Sequence, residues 1–266
     1  MTRSTAAAAP SLPSRWPRPL VAVDVAAFTV LEADLKLLLV RRGLPPYLPA
    51  LPGGFVRCGD VVVDQGEDLL AAARRELVEE TRLFDGAAGA RVRLLQVGAF
   101  GAPDRDPRAR VIAVAWLALV RPELAAFVRA GSDAAAVEWR SVASLRLDDD
   151  AAHDDASGDA AAHSDEPPLL AFDHRAMARA CLQRLRRDID ATDVARELVP
   201  AAFSVAELRA VVDAVRGTPS DPANFRRRFA RLVEDGVVVE APGHRVTGRR
   251  HAQVWSFADG APAERR

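Results

Sequence analysis

The stretch Arg75-Glu76-Leu77-Val78-Glu79-Glu80-Thr81, set inside the alanine- and leucine-rich run from Glu67 to Leu83, decides how the rest of this 266-residue chain is read. The run holds neither proline nor glycine, and Leu70, Ala73 and Leu77 recur on one side, so a helix over Glu67 to Leu83 is expected. Glu76, Glu79 and Glu80 then stand at i, i+3 and i+4 and share a face. Like charges at that spacing repel, and helix stability asks for nothing of the kind. A divalent cation does: Mg²⁺ takes oxygen ligands and keeps waters and substrate phosphates for the rest of its shell. Upstream, Gly53-Gly54 supply a turn where backbone can approach a diphosphate closely. Taken alone, Glu79 and Glu80 suit a solvated helix surface better.

These residues resemble the Nudix hydrolase signature, in which a glycine, a glutamate and an REUxEExGU run stand at fixed spacing. Glu67 falls on its first glutamate, and Arg75-Glu76-Leu77-x-Glu79-Glu80 completes its core. The resemblance implies that Glu76, Glu79 and Glu80 are catalytic. It also implies that Glu67 joins them around Mg²⁺, with Gly53, Gly54 and Arg75 binding ligand. The sequence departs from the signature twice. Val61 stands where the box glycine belongs, six positions before Glu67, as though Arg57 to Gly66 held a short insertion. Arg82 replaces the helix-ending glycine; a left-handed arginine costs about 1 kcal/mol more, which leaves room for the helix to run on to Asp85-Gly86. Both changes alter loops around the metal rather than its ligands.

Around this helix, Leu20 onward alternates as a strand (Val21, Val23, Val25, Ala27), and a break at Glu32-Ala33-Asp34 separates it from a second strand, Leu35 to Arg42. Pro45 to Pro52 reads as a loop. Arg93 to Phe100, Arg110 to Val120 and Ala134 to Val142 read as further strands, with a charged turn at Asp104-Arg105-Asp106-Pro107-Arg108. The tract Asp148 to Pro168 is acidic and has no large apolar residue, so it is expected to be a disordered insertion. A helix follows from Asp173 to about Ile189, then a shorter one leading to Pro200.

The last unit is a second constellation. Ser204 with Glu207 makes a capping box, Leu208, Val211, Val212 and Val215 form an apolar face, and Gly217 closes the helix. Asp221 and Pro222 open a second helix, to about Glu234, with Phe225, Phe229 and Leu232 inward. Val237 starts a strand, Ala241 to Arg250 reads as a loop, and Gln253 to Phe257 returns. Helix, turn, basic helix and two-stranded wing form a common duplex-DNA module, and arginine and asparagine suit guanine, phosphate and adenine. The candidate DNA contacts are Asn224, Arg226, Arg227, Arg228, Arg245, Arg249 and Arg250. A protein-interaction winged helix has the same outline.

Box and tail together resemble the Nudix-related transcriptional regulator family, across Leu20 to Phe257. Leu51-Pro52-Gly53-Gly54-Phe55-Val56, the Asp104 to Arg108 turn, Leu170-Ala171-Phe172-Asp173-His174, Pro200-x-x-Phe203 and Asn224-Phe225-Arg226-Arg227 carry it. In the wing, His251-Ala252-Gln253 replaces the Arg-Pro-Ala of the pattern. The resemblance implies an α+β architecture, a Nudix α/β/α sandwich with a mixed sheet, followed by a winged helix. It implies a homodimeric, ligand-responsive repressor that binds operator DNA and holds ADP-ribose or a related sugar phosphate, with Arg105 and Arg108 near the phosphates. His174 is either a ligand contact or a packed neighbour of a helix-capping Asp173. A Mg²⁺-dependent hydrolase of ADP-ribose or another nucleoside diphosphate derivative stays open beside it. The expected units are a tail at 1–19, a Nudix-like domain at 20–147, the insertion at 148–168, connecting helices at 169–197, the winged helix at 198–258 and a tail at 259–266. Cys58 and Cys181 make no disulfide framework and no metal spacing, so a reducing cytoplasm is expected. No apolar stretch is long enough for a signal core or a membrane span.

Overall fold

A computed structural model describes residues 18–59, 66–83, 92–131, 134–148, 170–190, 192–247 and 250–258. The tails and nearly all of the acidic insertion expected from the sequence lie outside these residues.

Strand β1 (Leu20–Leu31) is the centre of the sheet. It hairpins onto β2 (Asp34–Arg42), with Leu31 opposite Asp34, so Glu32 and Ala33 alone make the turn. Both have positive φ, 54° and 61°, the geometry that keeps a two-residue turn in line with strand twist. The end of β2 pairs with β3 (Pro49–Ala50), in what reads as a proline-rich loop, and the outer edge of β2 pairs with β7 (Ala134–Ser141). On the same edge as β2, the start of β1 pairs antiparallel with β4 (Gly53–Phe55); on its other edge β1 pairs parallel with β6 (Val111–Leu119), which in turn holds β5 (Arg93–Phe100). The sheet is therefore mixed, as expected. Apolar residues along β1 do not alternate with polar ones, because both faces are covered. Val23, Val25 and Ala27 pack under α1 (Leu69–Thr81) and α2 (Pro122–Ala125). Ala22, Ala26 and Phe28 pack on the opposite side with α3 (Val142–Leu145) and α4 (His174–Asp188).

Helix α1 is shorter than the apolar run suggests. Asp68 caps it, accepting from Ala71 N at 2.8 Å, and Arg82 ends it in a left-handed conformation with φ 55°. It does not run on toward Asp85-Gly86, because a crossing segment meets its end. Gly131 N donates to Glu80 O at 2.8 Å and Arg129 N to Thr81 O at 2.9 Å, satisfying carbonyls that further helix would have used. A Cβ on Gly131 would lie 1.6 Å from Glu79 O, so the crossing needs glycine.

After α4 come α5 (Thr192–Arg196), α6 (Val205–Arg216) and α7 (Pro222–Glu234), then the hairpin β8 (Val238–Thr247) and β9 (Arg250–Phe257). Ser204 and Glu207 form the capping box, and Gly217 closes α6 with φ 74°. Asp221 caps α7 through Asn224 N at 2.8 Å. The wing differs from its reading as a long loop: the strands pair from Val238–Phe257 to Thr247–Arg250. A register shift between Glu240 and His244 absorbs Pro242, which has no N–H, and Gly243, at φ 99°. The buried core runs without interruption from the sheet face through α4 to Leu208, Val212, Phe225, Phe229 and Val238, so the winged helix shares its core with the sheet.

Candidate functional site

The carboxylate stripe on α1 is organised by Arg75. Its Nε and Nη2 donate to both oxygens of Glu67, at 2.9 and 2.5 Å, and its Nη1 donates to Glu76 at 2.6 Å and Glu79 at 3.0 Å. The hydrogen bond to Arg75 holds the Glu67 carboxyl down at about 2. Arg57 supplies a second guanidinium, with Nη2 at 2.9 Å from Glu79 Oε1. Glu80 points elsewhere and accepts from Gly53 N at 3.0 Å. The Glu76 carboxylate lies directly over Gly54, where a Cβ would sit 2.4 Å from its Oε1. The expected four-carboxylate metal set is thus not assembled. Among the described residues no three His, Cys, Asp or Glu side chains converge as a metal site, and Arg75 and Arg57 pair with Glu67 and Glu79. In Glu76, although it too is held by Arg75, and in Glu80, one turn on, burial raises the carboxyl, that of Glu80 to about 7.

Beside Glu80 an open cleft with a cavity volume of about 220 Å³ lies between β1, β2, β4, the 105–108 turn and the start of α4. Gly53, Gly54, Arg105, Arg108 and His174, all expected here, line it. Their roles differ. Arg105 is buried in a two-point pair with Asp173, at 2.7 and 2.9 Å, with Asp24 at 3.8 Å. The pair takes Asp173 out of its expected capping role; it sits at the N-cap of α4 without a side-chain cap bond. His174 is packed and also borders the cleft. Its Nδ1 accepts from Leu51 N at 2.9 Å, and burial drives it down to about 3, so the ring is neutral. Arg108 is gripped by Asp106 yet half-exposed.

Three cleft residues were not singled out by the sequence reading. Arg42 ends β2 with its guanidinium 4.9 Å over the Phe172 ring, and Arg108 lies over the same ring at 4.9 Å. Arg42 Nε is buried with no hydrogen-bond partner among the described residues. Burial and then the neighbouring Arg108 lower its pKa, against the opposing pull of Glu80, Asp106 and Asp24. Phe172, held at φ 53°, is strained to present that ring. Asp24, the charged residue inside the apolar run of β1, is the third; a lone carboxylate in such a run was its signal.

Asp24 also yields a pH prediction. Burial raises its carboxyl to about 7 against the opposing pull of Arg105 and Arg42, with Asp173 and Asp106 adding to the rise. The folded chain therefore keeps a proton that the unfolded chain sheds above about pH 4. That stabilisation is whole below pH 4 and is lost as pH climbs through about 7. His174 has the opposite sign, losing its contribution as pH falls from 6.5 toward about 3. Asp24→Asn should gain melting temperature over the parent between about pH 5 and pH 8. A difference that stays flat across that range refutes the assignment.

The basic surface of α7 is more selective than the arginine count suggests. Asn224, Arg226 and Arg227 are exposed, and Arg226 has no ion-pair or hydrogen-bond partner among the described residues. Arg227 contacts only Asn224 on its own helix. Arg228 turns inward to Asp190, which also takes Arg216 at 2.6 Å. Arg245 is tied to the start of α6, at 2.8 Å to Ala202 O and 3.3 Å to Glu207. Arg228 and Arg245 are therefore committed within the fold. Arg249 and the Arg250 side chain lie outside the described residues.

Fold and box together define a NUDIX-domain protein: the family model described as NUDIX domain matches residues 21–160. The ADPR responsive transcriptional repressor NtrR of Acinetobacter baylyi is 30% identical over 248 residues, covering 92% of this chain and 84% of that one. The ADP-ribose pyrophosphatase of Methanocaldococcus jannaschii is 34% identical over 158 residues, 59% of this chain and 69% of that one. The crystal structure of Shewanella oneidensis NrtR superposes with a TM-score of 0.64 at 25% identity, covering 90% of this chain and 94% of that one. The chain belongs, within the NUDIX group, to the Nudix-related transcriptional regulator family. Among the described residues no helix is long and apolar enough to cross a membrane.

Proposed function

We propose that the chain is a cytoplasmic, homodimeric repressor that releases operator DNA when ADP-ribose or a related sugar phosphate fills the cleft. One observation carries this reading: an arginine-lined cleft beside the box and a capped helix–turn–helix share one continuous core. Arg42 and Arg108 both lie over Phe172 at the cleft, and guanidinium forks suit the phosphate oxygens of a diphosphate. Asn224, Arg226 and Arg227 face outward for the duplex. Helix α4 joins the two ends. Its start is pinned to the cleft through Asp173 and His174, and the residue beyond its end, Asp190, grips α6 and α7. A ligand that rearranges the cleft thereby acts on the reading helix through a rigid element. The relative from Acinetobacter baylyi, an ADPR-responsive repressor, supports the same reading over nearly the whole chain.

A mobility-shift titration of the purified chain on its own upstream DNA tests it. Binding should weaken steeply with salt, and ADP-ribose should release the DNA. No shift at low salt, or a shift indifferent to ADP-ribose, would sink the proposal.

A second reading rests on the oxygens of Glu76 and Glu80 that carry no donor among the described residues, and on the pyrophosphatase relative. These two carboxylates fit Mg²⁺, which would neutralise charge developing on a diphosphate. Around it, Arg75 holds Glu76 in place, Gly53 N holds Glu80, and Arg42 and Arg108 orient the diphosphate. Release of AMP from ADP-ribose, lost in Glu76→Gln, is its signature.

A further inference from the structure

Arg57 stands where the chain leaves the usual box spacing. Gly54 lies thirteen positions before Glu67 where the signature has six, and the extra chain starts at about Arg57. Its two ends are clasped together. Glu67 N donates to Arg57 O at 3.1 Å, and Arg57 N donates to Glu67 Oε1 at 2.8 Å. Gly66 makes the clasp feasible: its φ is 91°, and a Cβ there would lie 2.2 Å from Arg57 O. The backbone of Arg57 is thus fixed against the box, and its side chain reaches back onto Glu79 at 2.9 Å.

The effect is to remove a ligand. Glu79 has one oxygen on Arg57 and the other on Arg75, and both oxygens of Glu67 are on Arg75. Among the described residues only Glu76 Oε2 and Glu80 Oε1 remain without a donor. A dication at these two carboxylates would draw on Glu79, its neighbour on the same helix face, as a third. It finds Glu79 paired and meets a second positive charge.

We infer that Arg57 is a built-in counter-ion of the box, competing with a divalent cation for Glu79 and repelling it from Glu76 and Glu80. The insertion thereby tilts the box from cation-dependent chemistry toward holding an anionic ligand. This inference rests on the assignment of Glu76 and Glu80 as the cation carboxylates. An exposed ion pair is weak by itself. Charge repulsion at the shared carboxylate adds to it, and Arg57, being mostly exposed, can be removed without opening the core.

Mn²⁺ binding to the full chain, followed by electron paramagnetic resonance of the free ion, tests it without any turnover. Arg57→Ala should bind Mn²⁺ about tenfold tighter than the parent, Arg57→Lys should stay near the parent, and Glu76→Gln should weaken binding. Equal affinity of parent and Arg57→Ala overturns the role of Arg57, while a loss in Glu76→Gln would keep the cation carboxylates. Tightening in Arg57→Lys equal to that in Arg57→Ala also overturns it, because the charge would then be irrelevant. Absence of Mn²⁺ binding in every form removes both assignments.

Discussion

Replacing Arg226 and Arg227 together with alanine is expected to lower operator affinity about a hundredfold while leaving the melting temperature within a few degrees of the parent. The two side chains are exposed on α7, whose inward residues Phe225 and Phe229 seal the core. Alanine is the better helix former, so the helix itself loses nothing. Arg226 gives up no intramolecular partner among the described residues, and Arg227 gives up only Asn224. Two lost phosphate contacts should also reduce the slope of log affinity against log salt by about 1.8. Arg228→Ala is the informative contrast. That residue ties α7 to Asp190, so its loss should disturb the ligand response and stability more than the salt slope. Binding by the double variant that matches the parent at every salt concentration would end the case for α7 as the reading helix.

How much of this was legible in the sequence follows from which constraints are local. Caps are local: Ser204 with Glu207, Asp221 and Gly217 stand where side chain and φ demand them. The box was legible because its spacing is a helical period. The end of α1 was not, because the donors that stop it arrive from Arg129 and Gly131, far along the chain. The wing strands were not fully legible because Pro242 and Gly243 ordinarily interrupt a strand, whereas here a bulge accommodates both. The cleft was half visible. Arg105 and Arg108 were found through their turn, but the partner that buries Arg105 is 68 residues away. Arg42 is the terminal residue of an apolar strand in one dimension and, in three, a cation above Phe172 whose buried Nε has no hydrogen-bond partner among the described residues. Arg228 is the converse case: composition places it with the DNA-facing arginines, and its link to Asp190 shows only in three dimensions.

Arg105→Ala is expected to be the most damaging single change in the cleft. The Arg105 side chain is 4% exposed and that of Asp173 20%, and two hydrogen bonds join them. Removing the guanidinium leaves Asp173 and the buried Asp24 facing each other without their shared cation, the circumstance in which a broken buried pair costs about 3–5 kcal/mol. For a chain of this size that corresponds to a fall of roughly 10 °C in melting temperature. Asp24, already raised to about 7 with Arg105 as its largest opposing influence, should take up its proton at still higher pH. Arg105→Ala combined with Asp173→Asn should recover part of the loss, since the amide removes one of the two charges. The damage should reach the far end of the molecule as well. Asp173 is the anchor of α4 at the cleft, and Asp190 is its grip on α6 and α7. The double variant, stable enough to assay, should therefore still bind operator but need far more ADP-ribose to let go. Thermal melts and a mobility-shift titration measure both halves. A melting temperature within about 2 °C of the parent would mean that Arg105 is not the keystone of the cleft. A recovered double variant with parental ligand response would mean that α4 does not carry the signal.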